Sequence, residues 1–333
     1  MSQPTPGAVH VDTPLSNISV AFLQNASNFV AARVFPNVPV MKQSDRYYTY
    51  DRGYFNRDEA GKRAPGTESK GSGYKIDNTP TYYADVWAWH HDVPDQVRAN
   101  ADPQVDPDRD AANIVAHKLL IRREKDWAEH YFRPGVWAND FVGVASGTPN
   151  SGEFLRWDNE NSDPIGFIRA RKTDVLESTG YEPNKMTLSK RAFDALVDHP
   201  DIIDRVKYSG GVGNTNPARA SVNVLAQLFE LEEILIGKAI QNKGLEGEAN
   251  DHEFIMNKGA LLSYSPPAPT LMTPSAGYTF SWRGFMGQEN PFGFATKRFY
   301  IDTIEATRIE GQMAFDHKVV SDELGVYMDA VVS

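Results

Sequence analysis

Three aspartates at alternate positions, Asp106, Asp108 and Asp110, have the spacing that opens a calcium loop, where successive side-chain oxygens converge on a hard cation. Pro107 intrudes, Ala111 stands where such a loop needs glycine, and His117 stands where it needs a bidentate glutamate. His90, His91 and Asp92 offer imidazole and carboxylate ligands, but neighbours on a strand point to opposite faces, so the two rings diverge. The glycine-rich stretch 210–214 could cradle a phosphate with its amides, yet it lacks the Lys-Ser/Thr ending of a P-loop and the spacing of a dinucleotide fingerprint. A plain surface loop is expected there. Glu230, Glu232 and Glu233 have no histidine or nucleophile marked beside them and read as a solvated turn. Arg169, Arg171 and Lys172 form the densest basic cluster, blunted by Asp174 and Glu177 on the same helix. With no cysteine in the chain, thiol nucleophiles, disulfides and Cys-ligated metals are excluded, and no GxSxG elbow occurs. These residues predict no enzyme, no metal and no cofactor.

The totals bound what else the chain can be. Its 333 residues carry a net charge of −10, which disfavours tight binding to a phosphate backbone while allowing the protein to enclose DNA without adhering to it. No run of eighteen apolar residues occurs, and the opening MSQPTPGAVHVDTP lacks the basic and apolar regions of a signal peptide. Neither secretion by signal peptide nor a membrane span is expected. The length fits two domains or one elaborated one.

The strongest local signal is residues 106–132, read as one long helix. Asp106 is the expected N-cap, Pro107 the first helical residue, and Asp108 and Asp110 meet the positive end of the dipole. At about 1.5 Å per residue the helix spans about 40 Å, so it is expected to act as a spine. Ala112, Ala116, Leu119, Leu120, Trp127, Ala128 and Tyr131 are predicted to share its apolar stripe, with Arg122, Lys125, Asp126 and Glu129 on the remaining surface.

Before the spine, residues 1–45 read as an arm with a helix through Ile18, Phe22, Phe29 and Val30. Phe22 and Phe29 must be covered by the main body or by a neighbouring chain. Residues 46–91 read as a long two-stranded ribbon with a charged tip carrying Arg57, Asp58, Glu59, Lys62, Arg63, Glu68 and Lys70. The tip mixes both signs and has no apolar face, which suits salt bridges to a neighbour. An isolated ribbon is marginal in water, so it is expected to lie on another surface. After the spine come a strand at 141–144, a helix opened by Asp163-Pro164 and closed by Gly180, a strand at 186–188, and a helix capped by Ser189 that ends at His199-Pro200. A short helix from Asp201, another marked by Val222, Leu225, Ala226 and Phe229, buried strands at 234–237 and 254–256, and a β-rich tail from Phe292 complete the chain.

Residues 163–208, DPIGFIRARKTDVLESTGYEPNKMTLSKRAFDALVDHPDIIDRVKY, and 225–242, LAQLFELEEILIGKAIQN, carry a helix, a TG-x-x-PN turn and strand, a helix ending in HP, and a helix-to-strand passage before IGKA. Together with the order arm, ribbon, spine, α/β unit and β tail, this resembles the major capsid proteins of tailed bacteriophages, of the Hong Kong 97 type, over nearly the whole chain. The resemblance implies an α+β fold with an N-terminal arm (1–45), an extended β-hairpin loop (46–91), a peripheral domain with the spine helix (92–158), an axial domain (159–278) and a peripheral β element with the C-terminus (279–333).

It further implies assembly through hexameric and pentameric capsomers into an icosahedral shell around double-stranded DNA. The protein would then be located in a virion capsid assembled in the host bacterial cytoplasm. Its partners would be itself, a portal, a separate scaffolding protein if there is one, and a decoration protein where one is used; no scaffolding region of its own is recognised at the N-terminus. Some members cross-link lysine to asparagine; Lys62 and Lys70 lie on the tip, but no matching asparagine or catalytic glutamate can be identified. The competing readings are an encapsulin-like shell holding enzyme cargo and an acidic α/β enzyme with an unrecognised site.

Overall fold

A computed structural model describes residues 23–101, 105–209, 221–269, 273–283 and 294–333. Phe22 and the glycine-rich stretch 210–214 lie outside the described residues. The spine helix, Pro107–Tyr131, begins as its signals require: the Asp106 side chain accepts from the Arg109 amide, and Asp108 is bound by Arg98 and Arg298. These acids serve a helix start and its neighbours, and among the described residues no cluster of His, Asp and Glu is arranged to hold a metal.

Two sheets lean on the spine. In the first, the long strand Ala306–Val319 pairs antiparallel with Asp85–Pro94, Phe294–Ile301 and Gly277–Trp282, and Asn37–Val40 adds in parallel to the last of these. His90, His91 and Asp92 therefore sit in a sheet ladder, where Asp92 takes a two-pronged bond from Arg308 at 2.7 and 2.8 Å. That bond holds the Asp92 carboxyl below its usual range. The second sheet is mixed, in the order Glu233–Gly237, Lys185–Ser189, Ala260–Ser263, Gly325–Asp329, Asn139–Val144, Glu153–Leu155. Its flanking helix Pro164–Thr179 is capped by the Asp163 side chain and closed by Gly180 at φ 79°, a left-handed position where glycine carries no Cβ penalty.

Sheet membership cuts across the expected segment boundaries. Asn139–Val144, Glu153–Leu155 and Gly325–Asp329 join the same sheet as Lys185–Ser189, so the chain crosses between the two halves several times. The strand expected at 254–256 is instead His252–Phe254, paired in a small hairpin with Ile240–Asn242, while Met256 is buried beyond it. The central strand Ala260–Ser263 has all four residues buried and shows no period that would announce it.

The spine spans two cores. Ala111, Val115 and Leu119 pack with Val93, Ile309, Met313 and Phe315 of the first sheet, whereas Trp127 and Ala128 belong to the larger core with the second sheet. The buried stripe is thus rotated by one position from the expected one over the first turns. Leu120, Ala112 and Ala116 are half-buried, and Arg123 and Glu124 are buried at the handover between the cores. Tyr131 is half-buried, with its hydroxyl donating to the His317 carbonyl.

Candidate functional site

Two segments stand out by their side-chain contacts, an arm that packs into the body and a ribbon that leaves it. The arm is the first. The expected helix does not run through Phe29 and Val30: a single 3-10 turn, Ala26–Asn28, is followed by an extended Phe29 and a four-residue helix, Ala31–Val34. Phe29, Val30, Ala31, Val34 and Phe35 are all buried within their own chain. The Phe35 ring lies 5.3 Å from Tyr131, 5.7 Å from Trp127 and 6.3 Å from Trp137, separations that give edge-to-face stabilisation.

Polar contacts hold the same segment to both sides of the junction. Gln24 exchanges two hydrogen bonds with the backbone of Ile240. Arg33 pairs with Glu233, and Lys185 donates to the Arg33 carbonyl at 2.9 Å. From the spine, Glu124 accepts the amides of Val30 and Ala31. Of the glutamates read as a turn, Glu233 is therefore a docking residue for the arm, Glu232 accepts from Asn184, and Glu230 adopts φ 55°. In the basic cluster, Arg171 is tied to Asp174 and lies over Phe141. Lys172 is buried and donates to the carbonyls of Phe229 and Glu230 and to Glu182.

The ribbon is the second region, and it differs from the long hairpin expected. Ser44–Arg46 pairs with Thr81–Tyr83, and Thr49–Tyr50 pairs with Ile76–Asp77. Between the two pairings, Tyr47 and Tyr48 face Asn78, Thr79 and Pro80, so the return arm carries one extra residue, a bulge that accommodates proline. Arg52–Phe55 is a short helix rather than strand, because Asp51 caps it by accepting from the Gly53 amide at 2.8 Å. Asp85–Pro94 belongs to the body sheet and not to the ribbon.

At its root the ribbon is fixed: Tyr82 stacks on Phe280 at 4.6 Å, the Tyr83 amide donates to Asp316, and Arg52 binds Glu323. Loss of water at Asp316 raises its carboxyl despite that bond. Beyond the root, Tyr50, Phe55 and Tyr74 form a triangle of rings about 6 Å apart, and Tyr54 and Ile76 are exposed on the same ribbon. Phe55 and Tyr74 are 50% and 59% exposed. Arg57, Asp58, Glu59, Lys62, Arg63, Glu68 and Lys70 are all exposed, with Arg57 over Tyr54 and near Glu59, and Arg63 turned back onto the Thr67 carbonyl. These exposed rings were not among the residues expected at the tip; the run of aromatics at 47–55 is the sequence signal for them.

Among the described residues no helix is long and apolar enough to cross a membrane. No family model matches the chain. It is 24% identical over 282 residues to a major capsid protein of Burkholderia phage BcepMu, covering 82% of this chain and 84% of that one. It is 27% identical over 241 residues to a major capsid protein of Pseudomonas phage JBD67, covering 72% of each. Its fold matches a phage-related protein from Bordetella bronchiseptica with a TM-score of 0.69 at 20% identity, over 92% and 94% of the two chains. It also matches the capsid structure of cyanophage P-SCSP1u with a TM-score of 0.57 at 13% identity, over 97% and 93%. The chain thus has a mixed α+β fold shared with solved phage capsid subunits, and its sequence is similar to phage major capsid proteins.

Proposed function

We propose that this chain is a major capsid subunit of the Hong Kong 97 type, assembling through five- and sixfold rings into an icosahedral shell around double-stranded DNA. The observation that carries the reading is the ribbon: anchored by stacked and charged contacts at its root, it presents exposed rings and then a charged tip that its own body does not cover. Apolar area held out on a stem is stabilised when a neighbouring copy covers it, and many such contacts engaged together give high avidity. The similarity to phage major capsid proteins over most of the chain supports the same role.

The role is structural, not catalytic, and needs no cofactor. A portal and a scaffolding protein are the further partners this reading expects. The test is electron microscopy of the purified protein, alone and coexpressed with the neighbouring gene products. Closed shells or capsomer rings are expected; monomers in both samples overturn the proposal. Nucleic acid inside the shells agrees with a virion, whereas a copurifying enzyme cargo refutes the genome-enclosing part.

A further inference from the structure

Glu124 is a buried carboxylate whose oxygens are spent on another segment's backbone. The Val30 amide lies 3.0 Å from both Oε1 and Oε2, and the Ala31 amide lies 2.9 Å from Oε2. Val30 and Ala31 open the helix Ala31–Val34, and Val30 has no side-chain oxygen to cap it. The spine therefore supplies the cap that the local sequence lacks. Both amides reach Oε2, so a proton can sit on Oε1 without costing either amide its acceptor.

The charges around this carboxyl come from four elements. On the spine, Arg123 is buried beside it and lies over Phe315, and His117 touches Phe29. On the arm, Arg33 is committed to Glu233 of the second sheet, and Lys185 of that sheet reaches the Arg33 carbonyl and Glu233. On the long strand, buried His317 is bonded to Thr279 and kept neutral by its burial.

We propose that Glu124 is a proton-controlled latch for the arm, holding residues 29–35 against the spine when protonated and loosening them progressively as pH rises toward neutrality. Burial acts against the ionised form more strongly than the two amides and Arg123 favour it, and the carboxyl is pushed up to about 7. With the arm lifted, water reaches the group and it returns to the ordinary glutamate range. The seated arm therefore binds the proton more tightly than the lifted arm does. Seating is fully favoured below the ordinary glutamate value, loses ground as pH rises from there to about 7, and is constant above it. Across that window the seating equilibrium falls on the order of a hundredfold. The latch works within one chain and does not rest on the shell-forming reading.

Amide hydrogen exchange of the full chain between pH 5 and 8.5, corrected for intrinsic rates and referenced to amides in the middle of the spine, tests the proposal. Protection over residues 29–36 is expected to fall with rising pH in the wild type and to stay level in Glu124→Gln, which keeps a carbonyl acceptor and cannot ionise. Level protection in the wild type overturns the latch. An unchanged pH dependence in Glu124→Gln also overturns it and assigns the effect to His117. Should Glu124→Gln fail to fold, Arg123→Met removes the neighbouring positive field and is expected to move the opening midpoint to higher pH; an unmoved midpoint overturns the proposal.

Discussion

The arm and the ribbon are both aromatic-rich segments interrupted by proline, yet they end in opposite surroundings. The arm's Phe29 and Phe35 are buried among Trp127, Tyr131, Trp137 and His117 of their own chain, while the ribbon's Phe55 and Tyr74 are at least half exposed. Composition does not separate them; position does. The arm passes through the junction of spine and second sheet, where Phe35 meets several rings, Phe29 meets His117, and the Val30 and Ala31 amides and the Arg33 carbonyl find partners. The ribbon leaves the first sheet at Phe280 and Asp316, and past that root the Arg52–Glu323 ion pair ties it back to the body while its rings meet chiefly one another. Aromatic side chains carry the same driving force in both places, so the arm adds to the stability of one subunit, while the ribbon's exposed rings add little to it and, in the proposed shell, are left for a neighbouring copy to cover.

The comparison breaks if stability and assembly do not divide in this way. The largest effect on the subunit is expected at Trp127, which is fully buried where the spine enters the larger core beside Phe35. Trp127→Asp introduces a charge and leaves a cavity, so it is expected to cost more than about 4 kcal/mol, measured by denaturant unfolding; unchanged stability would place Trp127 outside the core. Phe35→Ala removes the arm's central ring and is expected to cost about 3 to 4 kcal/mol, with the arm's amides losing exchange protection first. Gly277→Ala tests the same seat from the sheet side. A Cβ there would sit 2.5 Å from Phe35 Cζ, and the ring is hemmed in by Trp127 and Tyr131. Overpacking of this kind is expected to cost about 1 to 3 kcal/mol, and a neutral result in thermal unfolding would mean that Phe35 has room to turn.

Much of the body was legible because its helices announce their ends. Asp106 with Pro107, Asp163 with Pro164, Gly180 and Ser189 all stand where their side chains or backbone angles terminate a helix. Ala260–Ser263 escaped because a strand buried on both faces has no alternation, and the sheet that Gly325–Asp329 of the β-rich tail joins depends on segments far away in the chain. The spine's stripe was misplaced by one position over its first turns because either Ala111 or Ala112 fits its spacing, and nothing local marks Arg123 and Glu124 as buried. Their burial follows from the arm and the long strand, which cover them from elsewhere in the chain. At the candidate site the tip's solvation was readable from its lack of apolar residues. The exposed ring triangle was not, since Tyr50, Phe55 and Tyr74 come together only when the Asp51 cap turns residues 52–55 into a helix.

The smallest effects on the subunit are expected on the ribbon, and there they sharpen the comparison most. The double substitution Phe55→Ser and Tyr74→Ser removes rings that already meet water, so unfolding free energy is expected to shift by no more than about 0.5 kcal/mol. Deleting residues 57–73 is likewise expected to leave the circular dichroism spectrum of a folded chain, because no residue in that stretch is buried. Both changes are expected to abolish shells and rings in electron microscopy. If the deletion alone still assembles, the charged tip is dispensable and the ring triangle carries the contact; if the double substitution alone assembles, the tip carries it. Loss of folding in either variant would instead show that the ribbon belongs to the subunit's own core, and the distinction between arm and ribbon would fail.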